Sequence, residues 1–288
     1  IAEIGTNSKG EIKFLSEVAQ PDFGVITNIS ESHLVNFHNM EGVYEEKKEL
    51  FKSLKDSGTA FLNMDDPFIS STNLYNQCKV IKFGFSGDYD FSAKYESSKE
   101  NIIINNTKIG IPDSLNIFPQ NILVAFSISS ELGIDGDYFN ERLSSFKVPS
   151  GRGDIIYKDN YTVINDTYNS NFSSTIIGLE MLNRYGNKKR KIVVLGDMLE
   201  LGKDEKEIHI KLSEHIIKNK IKHVFTFGTL MHNLYLSITK SNPDLFIKHY
   251  EEQTELINDI KKIIEENDII YIKGSRSMQM EKIVQEIT

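Results

Sequence analysis

From residue 161 onward, apolar β-branched runs alternate with amphipathic segments of helical length, and no other feature of the chain constrains its fold as tightly. The pattern predicts strands at 161–165, 190–195, 221–227, 245–249 and 268–273. Helices are predicted at 173–185, 204–219, 229–239, 253–266 and 277–287. Strands separated by helices of this length make right-handed βαβ units and hence a mainly parallel sheet. Two of the runs, IVVLGDMLELG (192–202) and IIYIKGSRSMQME (269–281), end in Gly-bearing polar loops. Such loops lie at the carboxyl edge of an α/β sheet, where ligands bind.

The first half alternates too, then turns irregular. IAEI (1–4) reads as the end of a strand, and residues 10–20 as a helix closed by Pro21. Strands follow at 23–29 and 58–64, with a helix at 42–54 between them. Short runs at 79–85, 90–96 and 101–106 suggest an antiparallel or mixed edge, and helices are predicted at 117–133 and near 137–145. Val148-Pro149-Ser150-Gly151 breaks any helix, so we place a domain boundary there and expect α/β domains at 1–148 and 149–288. Ile1 falls inside the first predicted strand, so a fragment or a processed form is expected.

Charged residues make up 26% of the chain and the net charge is −8, which argues against a nucleic-acid binder, whose face would be basic. No apolar run approaches the roughly 18 residues of a membrane span, so no membrane insertion is expected. The single cysteine, Cys78, excludes an internal disulfide and fits a reducing, cytoplasmic setting; it reads as a buried thiol.

Several groups could carry chemistry. Gly5-Thr6-Asn7-Ser8-Lys9-Gly10 has P-loop glycine spacing but continues Glu11-Ile12, without the Lys and Ser/Thr that phosphates and Mg²⁺ require, so it reads as a turn. Glu3 at a strand end and His33 in the loop after 23–29 are each possible ligands of a divalent cation or ordinary polar groups. Lys47 shares a helix face with Val43, Leu50, Phe51 and Leu54. It is there either as a paired, neutral or modified lysine or as one that snorkels to the rim. Arg152, between two glycines, could clamp a phosphate or anchor the linker. Asp166-Thr167-Tyr168-Asn169-Ser170-Asn171 holds more polar side chains than one cap needs, with Ser173 or Ser174 as the expected cap. Lys273, Ser275 and Arg276 follow the last strand at a helix N-terminus suited to an anion. His209 and His215 read as surface or half-buried residues.

Together these segments resemble the Mur ligase family along nearly the whole chain, beginning partway through its central ATPase domain and running through its Rossmann-like C-terminal domain. The phrases IAEIGTNSKGEI, TNISESHL and EGVYEEKKELF look like the segments that supply the family's metal site. The resemblance implies Glu3, His33 and Lys47 there, with Lys47 carbamylated, and Mg²⁺ and ATP as cofactors. SGRGD and NDTYNSN are similar to nucleotide-contacting segments, implying Arg152 and Asp166 as cofactor-binding residues and Tyr168, Asn169 and Asn171 as substrate-binding ones. The helix 117–133 departs from the family's His-Asn-x-x-Asn pattern: Asn121 is kept as a nucleotide contact, but Val124 replaces the second amide. VVLGDMLELG and KGSRSMQME resemble the branch that adds a dipeptide, with Lys273, Ser275 and Arg276 implied at the substrate.

The activity so implied is joining D-Ala-D-Ala to a UDP-N-acetylmuramoyl tripeptide through an acyl phosphate, by a monomeric enzyme in cell-wall synthesis. Two alternatives stay open: a ligase of the same family adding another amino acid, and a non-catalytic homologue that keeps the scaffold for binding. Without a P-loop, the 288 residues by themselves are expected not to turn over.

Overall fold

The computed structural model describes all residues except 32–33, 75–76, 97–100, 113–118 and 187–188. It divides into two compact units, Ile1–Phe146 and Lys147–Thr288.

In the first unit, α1 (Glu11–Ala19), β1 (Phe23–Ile26), α2 (Leu34–Phe37), α3 (Met40–Lys52), β2 (Thr59–Asn63) and α4 (Pro67–Ser70) come first. They are followed by β3 (Lys79–Gly84), β4 (Phe91–Tyr95), β5 (Asn101–Ile104), β6 (Thr107–Gly110), α5 (Pro119–Glu131) and α6 (Gly136–Ser144). The six strands lie in sequential order. β1 to β4 pair in parallel and β4–β5–β6 antiparallel, giving the mixed edge that the short runs suggested. β2 is buried along its whole length, as a strand covered on both faces must be.

Two expectations fail in this unit. Residues 1–4 join no ladder among the described residues, where β1 is the edge of the sheet. The run at 101–106 is the first half of a hairpin, since Asn105 takes a left-handed conformation (φ 51°) and reverses the chain into β6. Asn tolerates that region better than other side chains, and this is the signal that an extended reading of the run overlooks.

The second unit runs β7 (Asp154–Tyr157), β8 (Tyr161–Asp166), α7 (Phe172–Tyr185), β9 (Lys191–Gly196), α8 (Glu205–Lys218), β10 (His223–Phe227) and α9 (Met231–Ser241). It continues with β11 (Phe246–Tyr250), α10 (Gln253–Ile263), β12 (Asp268–Lys273) and α11 (Glu281–Ile287). The sheet order is β11-β10-β9-β12-β8-β7. All pairs are parallel except β7 with β8, the expected hairpin. The chain moves outward from β9 to β11, then returns to insert β12 between β9 and β8. The carboxyl ends of these three central strands therefore meet at a switch point.

The core sits between this sheet and its helices: Val163, Val194, Ile270 and Ile272 are fully buried against Leu256, Ile260 and Ile283. A close approach fixes one glycine. A Cβ at Gly178 of α7 would lie 1.9 Å from the Tyr271 hydroxyl of β12, so only glycine lets helix and strand meet there. The predicted helix at 277–287 is interrupted. Arg276–Met278 form a 3₁₀ turn, Gln279 is left-handed (φ 50°), and α11 starts only at Glu281.

Candidate functional site

In the first unit the loop after β1 is tied from three sides. Asn63 Nδ2 donates to Thr27 O (2.6 Å), Ile29 N donates to Asp66 Oδ2 (2.7 Å), and Lys47 Nζ donates to Asn28 O (3.3 Å). Asp66 Oδ1 meanwhile caps α4 through the Phe68 and Ile69 amides. Sequence reading passed over Asn63 and Asp66, although an Asn and an Asp just past a buried strand are the types that bind loop backbone.

Lys47 stands on the face of α3 that buries Val43 and Phe51, with Leu54 buried just beyond the helix end. Burial pulls its ammonium below the usual lysine range, and the Asp66 carboxylate only partly offsets that pull. A lysine so placed is more often neutral, and hence more nucleophilic, than one in water. Glu3 is exposed and lines the same groove as Lys47, together with Phe23, Val25 and Leu50. His33 lies outside the described residues. Asn121 is exposed in the first turn of α5, whereas Val124 is buried among the core residues, so an apolar side chain suits that position.

The glycine-spaced loop 5–10 is closed by the protein's own carboxylates. Asn7 N and Ser8 N donate to Glu11 Oε2 (2.6 and 2.9 Å), while Gly10 N and Ile12 N donate to Glu46 (2.8 and 2.9 Å). The loop is not a phosphate cradle, and the turn reading holds. Glu46, buried next to Lys47 in sequence, gave no sign of this in the sequence.

In the second unit, Gly151 and Gly153 both have positive φ (82° and 84°) and frame Arg152 in a tight turn. The turn is held by Gly153 N on Asn165 O (2.7 Å) and by Tyr168 N on Gly151 O (2.8 Å). It lays the Arg152 guanidinium 4.0 Å from the centre of the Tyr168 ring, with Arg276 at 6.0 Å from the same ring. Arg276 also pairs with Glu281 at 3.2 Å. Arg152, Tyr168 and Arg276, far apart in sequence, thus form one exposed cluster of two cations on an aromatic face.

Behind it the polar atoms are already engaged. Lys273 is buried, and its Nζ donates to Asp166 Oδ2 (2.6 Å) and Asn169 O (2.9 Å). The Tyr271 hydroxyl donates to the same carboxylate oxygen (2.8 Å). Ser275 Oγ accepts from Leu199 N (2.8 Å). Asn171 caps α7 through Ser174 N, and Ser174 reciprocates, so the expected Ser cap is corrected to an Asn–Ser capping box. Asn169 is exposed, and its Oδ1 accepts from Ser170 N (2.8 Å).

Lys273 and Ser275 therefore hold the loops that carry Asp166, Tyr168 and Arg276. The helix N-terminus expected beside them is a 3₁₀ turn. His209 is fully buried, not at the surface, whereas His215 is half-buried as expected.

Residues 1–128 match the Mur ligase middle domain, and residues 151–276 the Mur ligase glutamate ligase domain. The UDP-N-acetylmuramoyl-tripeptide–D-alanyl-D-alanine ligase of Bacillus subtilis (strain 168) is 33% identical over 100% of this chain and 64% of its own length. The ligase of the same name from Escherichia coli (strain K12) is 27% identical, again over 100% of this chain and 64% of its own length. Among solved structures, MurF from Acinetobacter baumannii shares the fold, with a TM-score of 0.84 and 24% identity over 98% of this chain and 63% of that one. So does MurF ligase from Thermotoga maritima in complex with ADP, with a TM-score of 0.82 and 24% identity over 99% and 65%. The chain spans just under two thirds of the length of these relatives. It belongs to the Mur ligase family, of which it carries the middle and C-terminal domains.

Proposed function

We propose that this chain supplies the phosphoryl-transfer and amine-side parts of an ATP-dependent ligase that joins D-Ala-D-Ala to a UDP-N-acetylmuramoyl tripeptide. The observation that carries the reading is the likeness, along the entire chain, to relatives bearing that activity in their names. In the proposed reaction the tripeptide carboxylate takes the γ-phosphoryl group of ATP, releasing ADP. The dipeptide amine then attacks the acyl carbon of the acyl phosphate, loses a proton and expels inorganic phosphate. The working domains are 1–148 and 149–288, and the setting is cytoplasmic; among the described residues no helix is long and apolar enough to cross a membrane.

The chain's own residues divide the labour. Arg152 and Arg276 offer positive charge close to the Tyr168 ring, suited to an anionic group such as a phosphate or a carboxylate. Lys273 and Tyr271 hold Asp166 in one orientation at the end of β8. Asn121, exposed at the start of α5, is the proposed adenine-side contact.

The donors near Lys47 fit a hard cation. Among the described residues no three His, Cys, Asp or Glu side chains gather, and Mg²⁺ needs only one or two carboxylates besides waters and phosphates. Glu3, the carbamate of Lys47 and His33 would hold it, and it would neutralise charge on the transferring phosphoryl group. Carbamylation needs a neutral amine, which the burial of Lys47 favours.

The decisive assay follows ADP formation by a ligase of the relatives' full length that contains this chain. Turnover should require both the tripeptide nucleotide and D-Ala-D-Ala. Equal turnover with a single amino acid in place of the dipeptide would sink the reading. Carbon-13 bicarbonate should give a carbamate signal on wild-type protein that disappears in Lys47→Ala, and its absence from the wild type would remove the carbamate.

A further inference from the structure

The loops after β9 and after β12 are joined by Leu199 and Asp197 on Ser275, and the first of them is anchored by a residue that the ligase reading leaves without a task. His209, fully buried in α8, has Nδ1 2.6 Å from Glu205 O. A carbonyl oxygen can only accept, so Nδ1 carries the proton and Nε2 is left as a lone pair. That lone pair accepts the Met198 N–H at 3.0 Å. The next amide, Leu199 N, goes to Ser275 Oγ at 2.8 Å, and Ser275 N returns to Asp197 O at 2.9 Å. The Asp197 carboxylate in turn accepts Leu230 N (3.1 Å) and Met231 N (2.7 Å) at the start of α9.

We infer that His209 is a positioning residue: its Nε2 lone pair sets the path of residues 197–199 and, through Ser275, the turn that presents Arg276 beside Tyr168. The inference rests on the proposed function only in treating Arg276 as a ligand-facing group. The charged groups acting on the ring are Glu205 of its own helix and Asp197 of the facing loop, and both favour its protonation. Burial outweighs them and keeps the ring neutral. Acid therefore withdraws the lone pair and releases Met198.

Amide exchange on the 288-residue chain, corrected for intrinsic rates, tests this without nucleotide. In His209→Leu, which fills the space without an acceptor, protection at Met198, Leu199 and Ser275 should drop about tenfold or more, while Val193 and Ile270 in the core hold. His209→Gln restores an acceptor near the Nε2 position and should stay within about threefold of wild type. Loss confined to Met198, or equal loss in both variants, would overturn the inference.

Should the Leu variant fail to fold, acidification decides. Wild-type protection at the three amides falls as the ring protonates, whereas the Gln variant holds its protection, and parallel profiles would refute the lone-pair role. None of these readouts depends on catalysis, so a failed ligase assay and a failed positioning test remain distinguishable.

Discussion

Strand β12 begins and ends with a buried charge, and its two ends solve the same electrostatic problem differently. At the amino end Asp268 receives Arg190 through two parallel hydrogen bonds of 2.8 Å, and Glu265 N adds a third at 2.7 Å. At the carboxyl end Lys273 meets Asp166 through one bond of 2.6 Å, and the remaining contacts come from a loop carbonyl and a tyrosine hydroxyl. The first arrangement is a planar fork that joins β12 to the start of β9 and holds the sheet together. The second is a point charge that gathers one loop. Burial differs as well, since the Arg190 side chain is 27% exposed and that of Lys273 only 3%, and only the carboxyl end touches residues proposed to meet a ligand. The same interaction type therefore serves stability at one edge and preorganisation at the other.

Four measurements sharpen or break that contrast. Asp268→Ala removes the acceptor of three hydrogen bonds, while Arg190 keeps Glu265 and the Ile263 carbonyl. It should cost about 3–4 kcal/mol in denaturant unfolding of the second unit, with protection in loop 166–171 falling no more than in the core. Asp166→Ala should cost less, about 2–3 kcal/mol, because Lys273 keeps the Asn169 carbonyl and a buried lysine can shed its proton. It should deprotect the loop preferentially, and a loss larger than that of Asp268→Ala would reverse the assignment of roles. Tyr271→Phe removes one donor from Asp166 while leaving Lys273 in place. A cost of about 1.5 kcal/mol with a partly loosened loop is expected, and no change in loop exchange would show that the lysine alone suffices.

The smallest effect is on pH dependence. Burial lowers His209, His223 and His249 below the ordinary histidine value of 6.5. The unfolded chain therefore takes up protons first, and stability that is full above 6.5 drains as pH falls through the depressed folded values. A shallower acid slope in His209→Gln than in wild type, by unfolding at a series of pH values, would apportion part of it to that ring.

The strands of the second unit were legible because runs such as DIIYIK are apolar, β-branched and bounded by turn residues, and period and length agree. That pattern put Tyr168 and Arg276 in loops after strands, whereas Arg152 was read as part of the linker and only the structure brings it to the Tyr168 ring. What stayed hidden was the direction of each polar group. Lys273 reads as a free cation after a strand, but the pleat turns it inward onto Asp166, a pairing across 107 positions that no local pattern announces. Asn171 and Ser173 are equally good caps on paper, and only the backbone path selects the first. In the first unit IAEI has strand composition but joins no ladder among the described residues, because pairing is a property of neighbours and not of the run itself. Lys47 was legible as an anomaly on an apolar face, while Asp66 and Glu46, which act on its surroundings, were not.

The loop at 5–10 carries its own counter-ions. Glu11 and Glu46 are covalently part of the chain, so each is present beside the loop amides at an effective concentration in the millimolar range or above. A free phosphate would have to outcompete two tethered carboxylates and leave them buried or exposed without their donors. Dilute anions should therefore pass this glycine-rich turn by, and its backbone amides act as internal mortar between α1 and α3.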